Sequence, residues 1–225
     1  MQTTSKLFAC ALLALLVCVV PAQAATIIKL DLGGTGPDLT FSGGNGGILS
    51  STSDGGSGTG DQETAILFTD FLSSLVPNPT TGSYTLSNVT ATGFPFALGG
   101  GFYGQNFVGG NYKLYDSSNA ILLDVNLSNS LLVAGGNGGF FNVTNGTVVG
   151  GNPAVTSQLA STSLGFSTSL TNISGGGLSV GGNGYLNSFL TDASMDITAT
   201  QIPEPSTALL ALGILTAPMA LRRRR

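Results

Sequence analysis

Tyr112-Lys113-Leu114-Tyr115-Asp116 runs through Ser117-Ser118-Asn119 into Ala120-Ile121-Leu122-Leu123-Asp124-Val125-Asn126-Leu127. Two short strand-like runs joined by a polar loop predict a β-hairpin. The same texture extends outward in both directions, at Thr26 to Leu32, Tyr84 to Val89, Phe166 to Ile173 and Ser194 to Thr200. In the last run, period two sets Met195, Ile197 and Ala199 on one face and Ser194, Asp196 and Thr198 on the other. Only Ala154 to Ser161 carries a short helical pattern, and no strand–helix–strand rhythm appears. Many short strands without crossover helices predict an all-β domain, of the β-sandwich or jelly-roll-like kind, with glycine-rich loops.

Glycine supplies the punctuation. All but one of the 34 glycines lie between Ala25 and Ile202, and Gly-Gly-Asn recurs at Gly43, Gly109, Gly135, Gly150 and Gly181. The spacing is irregular, which argues against a solenoid. Glycine and asparagine both tolerate positive φ, so these tripeptides are expected at turns. The segment 33–60 is nearly all glycine, serine, threonine and aspartate in its interior and is expected to be a long flexible loop.

The two ends have different characters. Lys6 precedes an unbroken apolar run from Leu7 to Val20, followed by Pro21 and then Ala22-Gln23-Ala24 before Ala25. A basic start, a short apolar stretch and a small-x-small exit predict a signal peptide over residues 1–24. Ala22, Ala24 and Ala25 mark its cleavage site, and signal peptidase is the implied partner. Both cysteines, Cys10 and Cys18, fall inside that segment, so a chain beginning at Ala25 has no thiol for a disulfide or a metal.

At the other end the sequence reads Ile202-Pro203-Glu204-Pro205-Ser206, an apolar stretch from Thr207 to Leu221, then Arg222, Arg223, Arg224 and Arg225. As a helix, residues 207–221 would rise roughly 22 Å at ~1.5 Å per residue, short of the ~30 Å bilayer core. Such a transmembrane helix would need local thinning or snorkelling arginines, and the arginines would hold the C-terminus in the cytoplasm. This combination resembles the PEP-CTERM sorting signal of Gram-negative bacteria. Pro203, Glu204, Pro205, Ser206 and the terminal arginines match its pattern. The resemblance implies recognition by exosortase, a membrane-embedded cysteine peptidase that removes the tail near the motif. It also implies a transient inner-membrane anchor and delivery to the cell surface or beyond. The expected organisation is a signal peptide (1–24), a secreted β-rich domain (25–201) and the sorting signal (202–225).

Composition removes several function classes. Between the end segments only Lys29 and Lys113 oppose all the acidic residues of the chain except Glu204. Such an acidic surface repels phosphate backbones, so no nucleic acid is expected as a partner. Histidine and tryptophan are absent from the whole chain, which removes imidazole acid–base chemistry and the usual zinc sites. A carboxylate pair could still hydrolyse glycosides, but Asp192 and Asp196, four apart on a strand, are spaced too widely. Gly33-Gly34-Thr35-Gly36-Pro37-Asp38 matches six places of a calcium-binding nonapeptide. One copy cannot complete a stacked site, and Thr40 stands where a large apolar residue belongs. No catalytic residue, cofactor or metal is therefore expected, and five Asn-x-Ser/Thr sequons are ascribed to composition.

The expected function is that of a non-enzymatic cell-surface or matrix protein. Because PEP-CTERM proteins are associated with exopolysaccharide and biofilm, the resemblance implies a polysaccharide partner. The alternatives are a ligand-binding module, for carbohydrate or ice, and a simple tail-anchored envelope protein. Ice binding needs regular threonine arrays, and Thr90-x-Thr92 and Thr198-x-Thr200 are isolated.

Overall fold

A computed structural model describes residues 24–32, 36–53, 64–72, 81–159 and 163–200. Ala22, the segment 202–225 with Pro203 to Ser206 and Arg222 to Arg225, and the expected helices at either end lie outside the described residues. Ala24–Thr200 forms a compact unit of its own.

That unit is all-β. Its strands in chain order are β1 (Ala24–Leu32), β2 (Leu39–Phe41), β3 (Ile48–Ser51), β4 (Thr64–Phe71), β5 (Thr81–Ser87), β6 (Val89–Gly99) and β7 (Phe102–Val108). They continue with β8 (Asn111–Asp116), β9 (Ile121–Leu127), β10 (Asn129–Gly135), β11 (Gly138–Gly151), β12 (Ser163–Thr171) and β13 (Phe189–Thr200). The hairpin expected around Ser117-Ser118-Asn119 is present, with Tyr112 opposite Val125 and Leu114 opposite Leu123. In β13, Met195, Ile197 and Ala199 are buried while Ser194 and Asp196 are exposed, as period two requires.

All thirteen strands belong to one antiparallel sheet, in the order β1-β4-β5-β8-β9-β11-β10-β7-β6-β3-β2-β13-β12. Further pairings of β1 with β13 and of β11 with β12 tie its ends together. The hydrogen bonding therefore does not separate into the two sheets that a simple sandwich would show. Two long strands are the reason. β11 pairs with β10 along residues 138–143 and with β9 along 146–151. β13 pairs with β2 along 189–191 and with β1 along 194–200. Register slips in β11 accompany the change of partner, since a bulge bends a strand and increases its twist. Gly146 sits at that bend, where a Cβ would come within 2.8 Å of both Phe166 and Val125. The strand can cross the core there only as glycine.

One apolar cluster fills the interior and draws on every strand. Phe107 meets Phe41 and Phe141 edge-on at 5.7 and 5.9 Å between ring centres. Phe166 packs on Tyr112, which stacks on Tyr84 at 5.6 Å.

The flexible loop expected over 33–60 is corrected within residues 36–53; the rest of that segment lies outside the described residues. Residues 39–41 and 48–51 are strands, and Leu39, Phe41 and Leu49 are fully buried. Three apolar residues suffice because the polar ones around them are also bonded internally. Ser51 Oγ accepts from the Leu86 amide at 2.9 Å, and the Asp38 carboxylate accepts from the Ala193 amide at 2.7 Å. The helical pattern at Ala154 to Ser161 reduces to a single turn, α1 (Pro153–Thr156), capped by the Asn152 side chain.

Candidate functional site: an exposed aromatic strip

The five Gly-Gly-Asn tripeptides all fall at element ends or in loops, and two of them meet. The turn around Gly43-Gly44-Asn45 lies against the segment after Gly181-Gly182-Asn183, with the Gly44 amide donating to the Leu186 carbonyl at 2.9 Å. Near this junction the second half of β6 stays paired with β7 but no longer with β3. Gly93 adopts φ +68°, and the β6–β7 register slips between Thr92 and Phe96. Only Val89 and Thr90 of β6 pair with β3, so its distal half has no described strand on its outer side. Pro95, which lacks an N–H, sits in that edge, where proline is tolerated in a sheet.

The kink turns large apolar residues outward. Phe94 is 64% exposed and Leu98 52%, with Phe96 and Phe102 also exposed. Phe94 stacks on Tyr185, with ring centres 4.6 Å apart and planes 21° from parallel. Tyr185 is held by a tight turn in which its carbonyl accepts from Gly181 and its amide donates to the Asn183 side chain. Gly184 has φ +81°, and a Cβ there would touch the Phe94 ring at 3.4 Å. The Phe96 ring lies over Gly104, where a Cβ would come within 2.3 Å of it. Asn183, Asn187 and Ser188 are exposed beside the Phe94–Tyr185 pair. The result is a series of exposed apolar side chains along β6 and the start of β7, with exposed amide and hydroxyl groups in the segment that carries Tyr185.

Two hollows offer other chemistry. One, of about 140 Å³, lies on the outer face of β12, β13, β1 and β4 and is lined by Lys29, Asp31, Asp196, Thr69 and serines. The other, of about 360 Å³, lies over β5 and the β8–β9 turn. Its carboxylate, Asp116, is occupied by the turn itself, accepting from the Ser118 amide and hydroxyl and from the Ala120 amide. Those bonds hold its pKa below the ordinary value.

Asp192 and Asp196 share a row of β13 without converging on one place. Asp192 accepts from the Asn172 amide side chain at 2.6 Å, and Asp196 faces Lys29 across the ladder. Asp38, read from sequence as part of a calcium-like loop, is instead buried and bonded to β13. Among the described residues no group of three or more His, Cys, Asp or Glu could hold a metal, and no helix is long and apolar enough to cross a membrane. Of the expected cleavage-site residues, Ala24 and Ala25 open β1, opposite Thr200 and Ala199.

The chain matches no protein-family model, no curated protein and no solved structure. Sequence reading missed the aromatic strip because Phe94 and Tyr185 belong to separate glycine-rich stretches with no shared period. The available signal was Gly93-Phe94-Pro95-Phe96, two phenylalanines around a proline that no buried strand accommodates.

Proposed function

We propose that this chain is an exported, non-enzymatic cell-surface or matrix protein that holds polysaccharide along the β6–β7 strip. The sorting signal and its exosortase-like partner belong to the same reading, with the β-rich domain as cargo. We read the closed sheet as a jelly-roll-like sandwich, its two walls pressed over the single core. The observation that carries the function is the Phe94–Tyr185 stack, with Phe96, Leu98 and Phe102 continuing it and exposed amides at its side.

Sugar rings have an apolar C–H face and a polar rim, so a flat ring flanked by amides is complementary to both. An extended row of such contacts suits a chain of sugars better than a single small molecule, which a closed pocket would serve. The acidic surface favours a neutral or cationic glycan and disfavours a strongly anionic one.

The test is affinity electrophoresis of the secreted domain in gels containing the host's own exopolysaccharide. Retardation is expected, and Phe94→Ala or Tyr185→Ala should each weaken it roughly 3- to 10-fold, equivalent to about 0.5–1.5 kcal/mol per aromatic contact. Unretarded migration of the intact domain would remove polysaccharide from the proposal.

A further inference from the structure

The two ends of the folded unit are neighbouring strands. β1 is antiparallel to β13, with Ala24 opposite Thr200, Ala25 opposite Ala199 and Thr26 opposite Thr198. The bond at which the signal segment is expected to be cut, Ala24–Ala25, therefore lies inside a strand ladder. β4 reaches β1 only from Ile28 onward, so at the scissile bond β13 is the partner.

We propose that this ladder is a clasp whose closure and cleavage at Ala24–Ala25 exclude one another, so that cutting must come before the fold closes. The proposal rests on the export reading given above and adds to it an order of events. A peptidase must take the backbone around its scissile bond as an extended segment with free N–H and C=O groups, as in other strand-type recognition. Backbone groups already committed to β13 cannot be offered at the same time. β13 is the last strand among the described residues, and a contact between segments so far apart in sequence carries a high closure entropy. Delivery from the N-terminus leaves β1 without this partner until the whole cargo has crossed, and that interval is the window for cutting. Once closed, β1 contributes Ile27, Ile28 and Leu30 to the core, which stabilises the shut state. A chain that closes early is trapped uncut.

The absence of cysteine after Cys18 makes the clasp directly testable. Full-length chain with Cys10→Ala and Cys18→Ala, carrying Thr26→Cys and Thr198→Cys, can form one disulfide within the chain when β1 lies beside β13, and the monomeric product is taken. Purified in detergent and oxidised, it is offered to signal peptidase beside the same chain freshly diluted from denaturant. The freshly diluted chain should be cut at Ala24–Ala25, and the cross-linked chain at least about 100-fold more slowly, because cleavage follows the open population. Ile197→Asp, which sets a charge in β13 opposite Ile28, should restore cutting in the full chain without the cysteines. A cross-linked precursor cut as fast as the open chain overturns the clasp alone. An open chain left uncut at this bond overturns the export reading, and the clasp with it.

Discussion

At the residue scale the core is unusually polar at two places, and the two behave differently. Asp38 is 5% exposed and its carboxylate accepts from the Ala193 amide, while its carbonyl accepts from the Thr52 amide. Asp38→Ala removes the acceptor and leaves a buried β13 amide unpaired, at an expected cost of about 2–4 kcal/mol. Urea titration should read that loss, and Asp38→Asn, which keeps an acceptor oxygen, should recover part of it. The Tyr112 hydroxyl, by contrast, is buried without a hydrogen-bond partner. Tyr112→Phe therefore removes an unsatisfied donor and keeps the stacking on Tyr84, so stability should hold or rise by about 1 kcal/mol. A fall of similar size in the same titration would mean that the hydroxyl has a partner after all.

At the element scale, the distal half of β6 and the β8–β9 turn are both set by single residues. Pro95 blunts the unpaired edge of β6, as edge proline generally does. Pro95→Val should restore a donor to that apolar edge and produce concentration-dependent association in sedimentation, with the core unchanged. The β8–β9 turn is held by Asp116, whose pKa is lowered by the Ser118 and Ala120 hydrogen bonds. A depressed folded pKa gives stability that is present above the unfolded value and is lost as pH falls through the folded one. The Ser118 and Ala120 amide resonances should therefore shift together at a pH below the ordinary aspartate range, and Asp116→Ala should abolish that transition.

At the scale of the whole molecule, the stacked Tyr84 and Tyr112 are the phenols buried in the core. Burial raises both above the ordinary tyrosine value of 10.0, more than any neighbouring charge does. For a raised folded pKa the stability is present below the unfolded value and is lost as pH climbs past it, because the unfolded chain releases its protons first. Stability should therefore fall above about pH 10 by roughly 1.4 kcal/mol per pH unit for each tyrosine. Loss of strand signal in circular dichroism should coincide with the part of the tyrosinate absorbance that Tyr84→Phe and Tyr112→Phe remove. Tyrosinate absorbance rising from these two residues well before unfolding would show that the core is not closed around them.

Within this frame, the alternation in Tyr112 to Leu127 and in Ser194 to Thr200 was enough to assign strands and their inward faces. Local sterics and period two act over a few residues, and a single sequence records them. The same holds for the turn role of Gly-Gly-Asn, and composition alone shows that the chain has no imidazole and no thiol after Cys18. Partner choice is of another kind. That β11 serves β10 and then β9, that Asp38 reaches Ala193, and that Phe94 meets Tyr185 all depend on distant segments competing for one core. Many pairings satisfy the same alternation, so only the tertiary structure decides among them. The loop expected at 33–60 failed over residues 39–51 for that reason. Leu39, Phe41 and Leu49 are too few to announce strands on their own, and become strands because the sheet around them supplies both the ladder and the burial.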